Sequence, residues 1–336
     1  MRLTLILLLA MLFSSCERLL FQDDMSSIDP FENFDYLWNE VDQKYSYFEL
    51  KNINWDSIRV EYFSKLYSEM PEDSLFKVLA SMLVELRDDH TNLVSPFNIS
   101  MYNVEFLGPQ NFNFRIIKEH YLGSNIQYTG SLVHGFLHNN NIGYIRYASF
   151  TNGLSDRDLT YVLDIYKNTN GLILDLRSNG GGSIFNVPQL LARFVDSKQL
   201  VGYFRTRNGI SHSDFCDKES FYVTPFSGMR YQKPVMILID RGSYSATTFF
   251  ALATKAIPNL ILVGDTTGGG GGLPNGGQLP NGWTYRFSIG QLLDIHENNY
   301  AEEGVPPEIA VNFDWNNMAV DEIIERAVVE INSMTK

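Results

Sequence analysis

Residues 235–265 read VMILIDRGSYSATTFFALATKAIPNLILVGD, and the order of its parts decides the fold class. Two apolar runs without alternation, VMILID (235–240) and LILVGD (260–265), enclose a helix-prone stretch from Ser245 to Ala256. An unbroken apolar run is the mark of a strand buried on both faces. Two such strands joined by a helix make a right-handed crossover in a parallel sheet. The pattern continues outward. Upstream, the spacing predicts a strand in IGYIRYASF (142–150), a helix in SDRDLTYVLDIYKN (155–168), a buried strand in GLILDL (171–176) and a helix over 187–195. Downstream it predicts one strand in WTYRFSIGQL (283–292) and a closing helix over 321–334. The class is α/β, with a mainly parallel sheet in a core spanning 141–336.

Ahead of that core the period changes to helical. Asp29-Pro30-Phe31-Glu32 is a helix start, with Asp29 as N-cap, Pro30 in the first turn and Glu32 closing a capping box. Phe31, Phe34, Trp38, Val41 and Tyr45 follow at helical spacing. Asn54 caps a second helix bearing Trp55, Ile58, Tyr62 and Leu66, and 72–87 makes a third. This three-helix domain, 29–97, closes on LRDDHTNL (86–93). Residues 98–140 read as a short β-rich connector, with FNFRII (112–117) a candidate strand.

The first sixteen residues, MRLTLILLLAMLFSSC, hold one basic residue, an apolar stretch too short to span a bilayer comfortably, and then small residues before a cysteine. The ending LFSSC resembles the lipobox of bacterial lipoproteins. That resemblance implies a signal peptide over 1–15, cleavage before Cys16, lipid on its sulfur, a tether to about residue 28, and a place in the cell envelope on a periplasmic or outer-membrane face. Cys216 is the other cysteine, so a lipidated Cys16 leaves no disulfide and the fold must hold by its core. A formal net charge of −13 with no basic run speaks against nucleic-acid binding.

Two turns carry the chemistry. Gly242-Ser243-Tyr244-Ser245-Ala246 joins a strand to a helix, where Ser245 has an inexpensive reading as a helix cap. The place also suits a nucleophile, because the free N–H of Ala246 faces charge developing beside Ser245. DLRSNGGG (175–182) runs from a strand into glycines that bare backbone N–H groups, with Asp175 and Arg177 placed to pin the turn. A phosphate-binding G-x-G-x-x-G or G-K-[ST] pattern is missing from this turn, and no cofactor or metal is expected.

Together GLILDLRSNGGG, VMILIDRGSYSATTFFA, LILVGDTTGGGG and EEGVPPEIAV resemble, in order and spacing, the C-terminal processing, or tail-specific, serine peptidases. The resemblance covers roughly 30–97 and 140–312. It implies a crotonase-like α/β core, Ser245 as nucleophile, and an oxyanion hole from the N–H groups of Gly181 and Ala246. The gap before residue 141 is too short for the PDZ domain that many members insert. The chain also departs from the lysine-dependent members. Their lysine falls twenty-five residues past the serine, where this chain has Gly270. Lys255 lies about 15 Å along the serine's own helix and cannot substitute.

The branch resembling the tricorn core uses histidine with glutamate instead. Its D-x-H-T signature matches His90, making His90 the expected general base and Glu302 its carboxylate, with Glu303 in reserve. Imidazole suits the task because it titrates near neutral pH. Asp88 and Asp89 read as turn-forming residues. Thr248 stands where many members carry glutamate. His134 and His138 form an H-x3-H pair in a loop- or strand-like run without an acidic third ligand. The glycines at 268–272 read equally as a lid or an anion site. Peptide hydrolysis is the leading expectation. A catalytically inactive lipoprotein binding peptides or apolar ligands is the other, since retinoid-binding proteins resemble the same core.

Overall fold

The computed structural model describes residues 26–103 and 108–334. The cysteine of the lipobox lies outside them. The chain opens with helices α1 (Pro30–Lys44), α2 (Trp55–Phe63) and α3 (Glu72–Val84). Asp29 accepts hydrogen bonds from the Phe31 and Glu32 N–H groups, and Asn54 accepts one from Ser57 N–H. The reciprocal arm of the first cap comes from Ser27, whose Oγ accepts the Asp29 N–H at 3.1 Å, and not from Glu32.

After α3 come β1 (Asn92–Val94), β2 (Gln127–Thr129), β3 (Leu132–Leu137) and β4 (Ile142–Tyr147). Then α4 (Asp156–Tyr166) leads to β5 (Gly171–Asp175), and α5 (Asn186–Leu191) to the hairpin strands β6 (Gln199–Thr206) and β7 (Glu219–Val223). The run β8 (Val235–Ile239), α6 (Ala246–Thr254), β9 (Leu260–Gly264) is the crossover that the opening sequence predicts. The chain ends with β10 (Pro274–Gln278), β11 (Thr284–Ser288), β12 (Gly290–Leu293), β13 (Ile309–Ala310) and α7 (Glu322–Met334).

The central sheet has the order β13-β9-β8-β5-β4-β3-β2. Pairing is parallel from β13 to β4 and antiparallel from β4 to β2. β5 and β8 are buried at every position, as their unbroken apolar runs require. One apolar core lies on the α4, α5 and α6 side, and a second on the face that α7 covers.

Two expectations need correction. Residues 98–140 are no β-rich connector: Phe114–Ile116 is a helical turn that continues as a π-helix over Ile117–Leu122, and β2 and β3 extend the central sheet. Asn113 caps that turn, which favours helix over the strand expected in FNFRII. The expected strand 283–292 is two strands in two sheets. β11 lies between β1 and β10, while β12 pairs with β6. The break falls at Ile289, whose N–H bonds the Leu273 carbonyl while its own carbonyl accepts from Arg207 N–H.

The N-terminal helices do not close a core of their own. Phe34, Leu37, Val41, Leu79 and Leu83 share theirs with Leu279, Trp283, Tyr285 and Phe287 of the β10–β11 hairpin. The front of the chain thus grips a hairpin made nearly two hundred residues later, and β1 seals the junction by pairing Asn92 with Arg286 and Val94 with Thr284.

Candidate active site

The turn after β8 is stitched to the turn after β5. Ser178 N–H donates to Asp240 Oδ1 at 2.7 Å, Tyr244 N–H to the Asn179 carbonyl at 3.0 Å, and Ser243 Oγ to the Leu176 carbonyl at 2.8 Å. At the end of the stitched turn Ser245 has φ 58° and ψ −116°. That is left-handed backbone for a residue with a Cβ, and it holds about 1–3 kcal/mol of strain. Ser245 stands at the N-cap of α6, yet its side chain makes no capping bond. The inexpensive reading of this serine therefore fails. Its Oγ lies 2.9 Å from His90 Nε2 instead.

His90 is delivered by the segment between α3 and β1. Asp88 Oδ1 accepts the His90 N–H at 2.7 Å and Asp88 Oδ2 accepts from Ser288 Oγ at 2.8 Å, so a carboxylate ties the turn to β11. That is the turn-forming role expected of Asp88. It has an electrostatic effect too. Burial pushes the His90 imidazole below its ordinary range, and Asp88 opposes the push. Burial would raise the Asp88 carboxyl, but Lys51, His90 and two hydrogen bonds outweigh it and the group stays below its ordinary value. His90 is only 5% exposed and is neutral at neutral pH, the form that accepts a proton.

Of the two glutamates, Glu302 is buried and Glu303 is exposed. No hydrogen bond joins Glu302 to the imidazole among the described residues. Its Oε1 pairs with Lys51 Nζ at 2.6 Å, and among the described residues neither its Oε2 nor His90 Nδ1 has a hydrogen-bond partner. Burial, then Asp88, push Glu302 up to about 8, against the pull of Lys51. Asp88, next to the base in sequence, is the carboxylate that bears on it most strongly.

Gly181 and Ala246 flank the serine. A Cβ on Gly181 would fall 2.8 Å from both Ser245 Cβ and Ala246 N, so only glycine fits. Ala246 opens α6, and its N–H has no acceptor within the helix. The Gly181 N–H is engaged, contrary to a simple oxyanion hole: it donates to Asn179 Oδ1 at 3.0 Å. An oxyanion would share that donor with Asn179. Ser245 and His90 lie at one wall of a cleft of about 1030 Å³, whose other walls include Phe185, Phe204, Phe221, Phe249 and Leu292.

Of the remaining residues the glycine run 268–272 borders the cleft, its Gly269 carbonyl accepting the Ser245 N–H at 3.0 Å, and the others fall away from this centre. Gly270, at the lysine position of other members, has φ 74°, and a Cβ there would lie 2.5 Å from the Tyr244 ring. Tyr244 fills the space that a side chain would need. The run 268–272 is a packed seam and not a lid, because a Cβ on Gly269 would strike the Glu302 carbonyl at 2.0 Å. Lys255 pairs with Glu308 at 2.7 Å. Both ring nitrogens of His134 are engaged, by Thr129 Oγ1 at 2.9 Å and Tyr166 OH at 2.8 Å. Thr248 bonds Thr267 Oγ1 at 3.0 Å inside the core, and Cys216 is an exposed free thiol.

Sequence reasoning missed Lys51, Tyr244 and Ser288. Tyr244 packs its ring 5.1 Å from that of His90 and points its hydroxyl toward Asp88 Oδ1 at 3.4 Å. Only its adjacency to Ser245 could have flagged it.

Comparison with known proteins identifies the family. The model of peptidase family S41 matches residues 141–311, and that of the tricorn protease C1 domain matches 29–84. The carboxy-terminal processing protease CtpB of Bacillus subtilis is 28% identical over 171 residues, 51% of this chain and 34% of that protein. The chain thus spans about a third of the length of the curated relatives it matches. The crystal structure of a Parabacteroides merdae protein described as a peptidase is 35% identical, with a TM-score of 0.87 over 91% of this chain and 97% of that one. Mature CPAF, 13% identical, shares the fold alone, with a TM-score of 0.65 over 91% of this chain and 98% of that one.

Proposed function

The chain belongs to peptidase family S41, and from that premise we propose that it is a serine endopeptidase acting on polypeptides or peptides through an acyl-enzyme on Ser245. The observation that carries the proposal is the 2.9 Å approach of His90 Nε2 to Ser245 Oγ, made by a serine on a strained turn at a cleft wall. Ser245 Oγ attacks the peptide carbonyl carbon while its proton passes to His90 Nε2. The carbonyl electron pair moves onto oxygen, which the N–H groups of Ala246 and Gly181 hold, one such donor being worth about 3 kcal/mol. Collapse breaks the C–N bond, and the leaving amine takes the proton from His90. Water then attacks the acyl carbon, giving a proton to His90, and collapse breaks the acyl–Oγ bond as that proton returns to Ser245 Oγ. Asp88 stabilises the imidazolium in both steps by its charge alone, since it bonds the His90 backbone N–H and not the ring. The apolar cleft walls suit a substrate segment with bulky apolar side chains.

A fluorophosphonate probe and a denatured-protein substrate test this reading. Wild type is expected to be labelled at Ser245 and to release peptides. Ser245→Ala should lose both while melting within a few degrees of wild type. Peptide release by a folded Ser245→Ala protein would disprove the mechanism, and a folded wild type that never labels would favour binding without catalysis. We also propose that lipid on Cys16 holds the protein at the cell envelope, a reading that the LFSSC run supports. Cys16→Ser should then release it from the membrane fraction and abolish incorporation of labelled fatty acid. A variant still held at the membrane would contradict this.

A further inference from the structure

Lys51 lies in the turn between α1 and α2, far from Ser245 in sequence, yet it reaches the back of the catalytic assembly. Its Nζ contacts four oxygens: Glu302 Oε1 at 2.6 Å, the Arg87 carbonyl at 2.9 Å, and the Leu86 carbonyl and Tyr45 OH at 3.1 Å. An ammonium has three N–H donors, so this one is saturated. The brace is mutual, because the Arg87 guanidinium donates to the Lys51 carbonyl. Arg87 itself holds φ 51°, and His90 follows three residues later. The Lys51 and Glu302 side chains are 7% and 2% exposed. Such a buried ion pair adds little stability over a well-packed apolar pair, so its presence asks for another explanation.

The surroundings supply one. Glu302 faces Asp88, and the tyrosines Tyr45, Tyr47 and Tyr244 lie around the two carboxylates. His90 feels Asp88, Asp89, Arg286 and Lys51. Lys51 is the cation that pulls down both Glu302 and Asp88. Take it away and the Glu302 and Asp88 carboxyls, already opposed, lose the cation that both face, so the pair holds a proton more tightly still. The carbonyls that fix the start of the base-bearing turn would lose their donor in the same stroke.

We propose that Lys51 is a positioning residue for the general base: it clamps the Leu86–Arg87 carbonyls to Glu302 and so fixes the turn that carries His90. The proposal rests on the Ser245–His90 hydrolase reading and adds to it a third participant, contributed by the helical front of the chain.

The test compares Lys51→Met, Lys51→Arg, Glu302→Gln and the double variant K51M/E302Q in full-length protein, by peptide turnover from pH 5 to 9, fluorophosphonate labelling and melting. Lys51→Met should lower kcat about ten-fold at pH 7, with KM changed less than about two-fold. The acidic limb of kcat should move up by about one pH unit, a ten-fold change at a pH on the limb. Lys51→Arg should restore most of the loss. Because Lys51 and Glu302 act as one clamp, K51M/E302Q should be slower than E302Q by much less than the full K51M factor. If Lys51→Met does not fold, that last comparison still decides, since the double variant removes both halves of the pair. A kcat for K51M within two-fold of wild type, an unmoved acidic limb, or a double variant slower than E302Q by the full K51M factor overturns the proposal. A folded wild type that is never labelled removes the hydrolase premise, and this proposal with it.

Discussion

Ser245 keeps a backbone conformation that glycine would adopt without cost. Relief of that strain should make Ser245→Gly inactive but more stable, by about 1 kcal/mol once the entropy that glycine loses on folding is deducted. Urea melts of wild type, S245A and S245G would show it, and a glycine variant less stable than the alanine one would contradict it. The meeting of Ser245 and His90 was legible in the sequence through the family motifs, while the serine's strand-to-helix seam alone read better as a helix cap. The charged support behind them was not. Lys51 and Glu302 meet across 251 residues, and no local period or spacing records such a pairing. Asp88 shows the converse. Its place beside His90 argued for a turn residue, and the turn it makes is what brings its charge to bear on the ring.

The glycine turn after β5 is rigid because of Arg177. Its guanidinium bonds both oxygens of Asp175, at 3.0 and 2.6 Å, both oxygens of Asp321, and the Asn111 carbonyl at 3.0 Å. Asp321 in turn accepts the Ile323 and Ile324 N–H groups at the start of α7. One fully buried cation thereby joins the turn that holds Gly181 to the last helix. Arg177→Met would leave buried Asp321 without its cation and Asp175 with only Arg146, 3.7 Å away, and should cost about 3–5 kcal/mol by chemical denaturation. It should also slow fluorophosphonate labelling of Ser245. A variant as stable as wild type would show that the cluster is dispensable. The central strands were legible because burial on both faces imposes an unbroken apolar run. β10 was not, since Pro-Asn-Gly-Gly-Gln carries no strand signal and pairs only because β11 lies beside it. Residues 283–292 misled for a related reason: alternation runs straight through Ile289, while the sheet membership changes there.

At the scale of the whole molecule the division into a helical front and an α/β core holds in sequence but not in space. The helices bury Leu279, Trp283, Tyr285 and Phe287, and Ser46 bonds the Ser288 and Gly290 carbonyls at 3.1 and 2.9 Å. A chain starting at residue 98 should therefore expose an apolar hairpin, bind a hydrophobic dye such as ANS and aggregate, besides lacking its base. A soluble truncated protein with native near-UV dichroism would refute this. The pairing of β1 with β11 has a further consequence in time. Synthesis delivers His90 early and Ser245 much later, but the imidazole has no fixed bearing until the hairpin and then Glu302 have emerged. Through most of its own manufacture the polypeptide carries a base without a nucleophile, and once the serine emerges that base is still unplaced, so the chain is harmless to itself and to its neighbours until it is nearly finished.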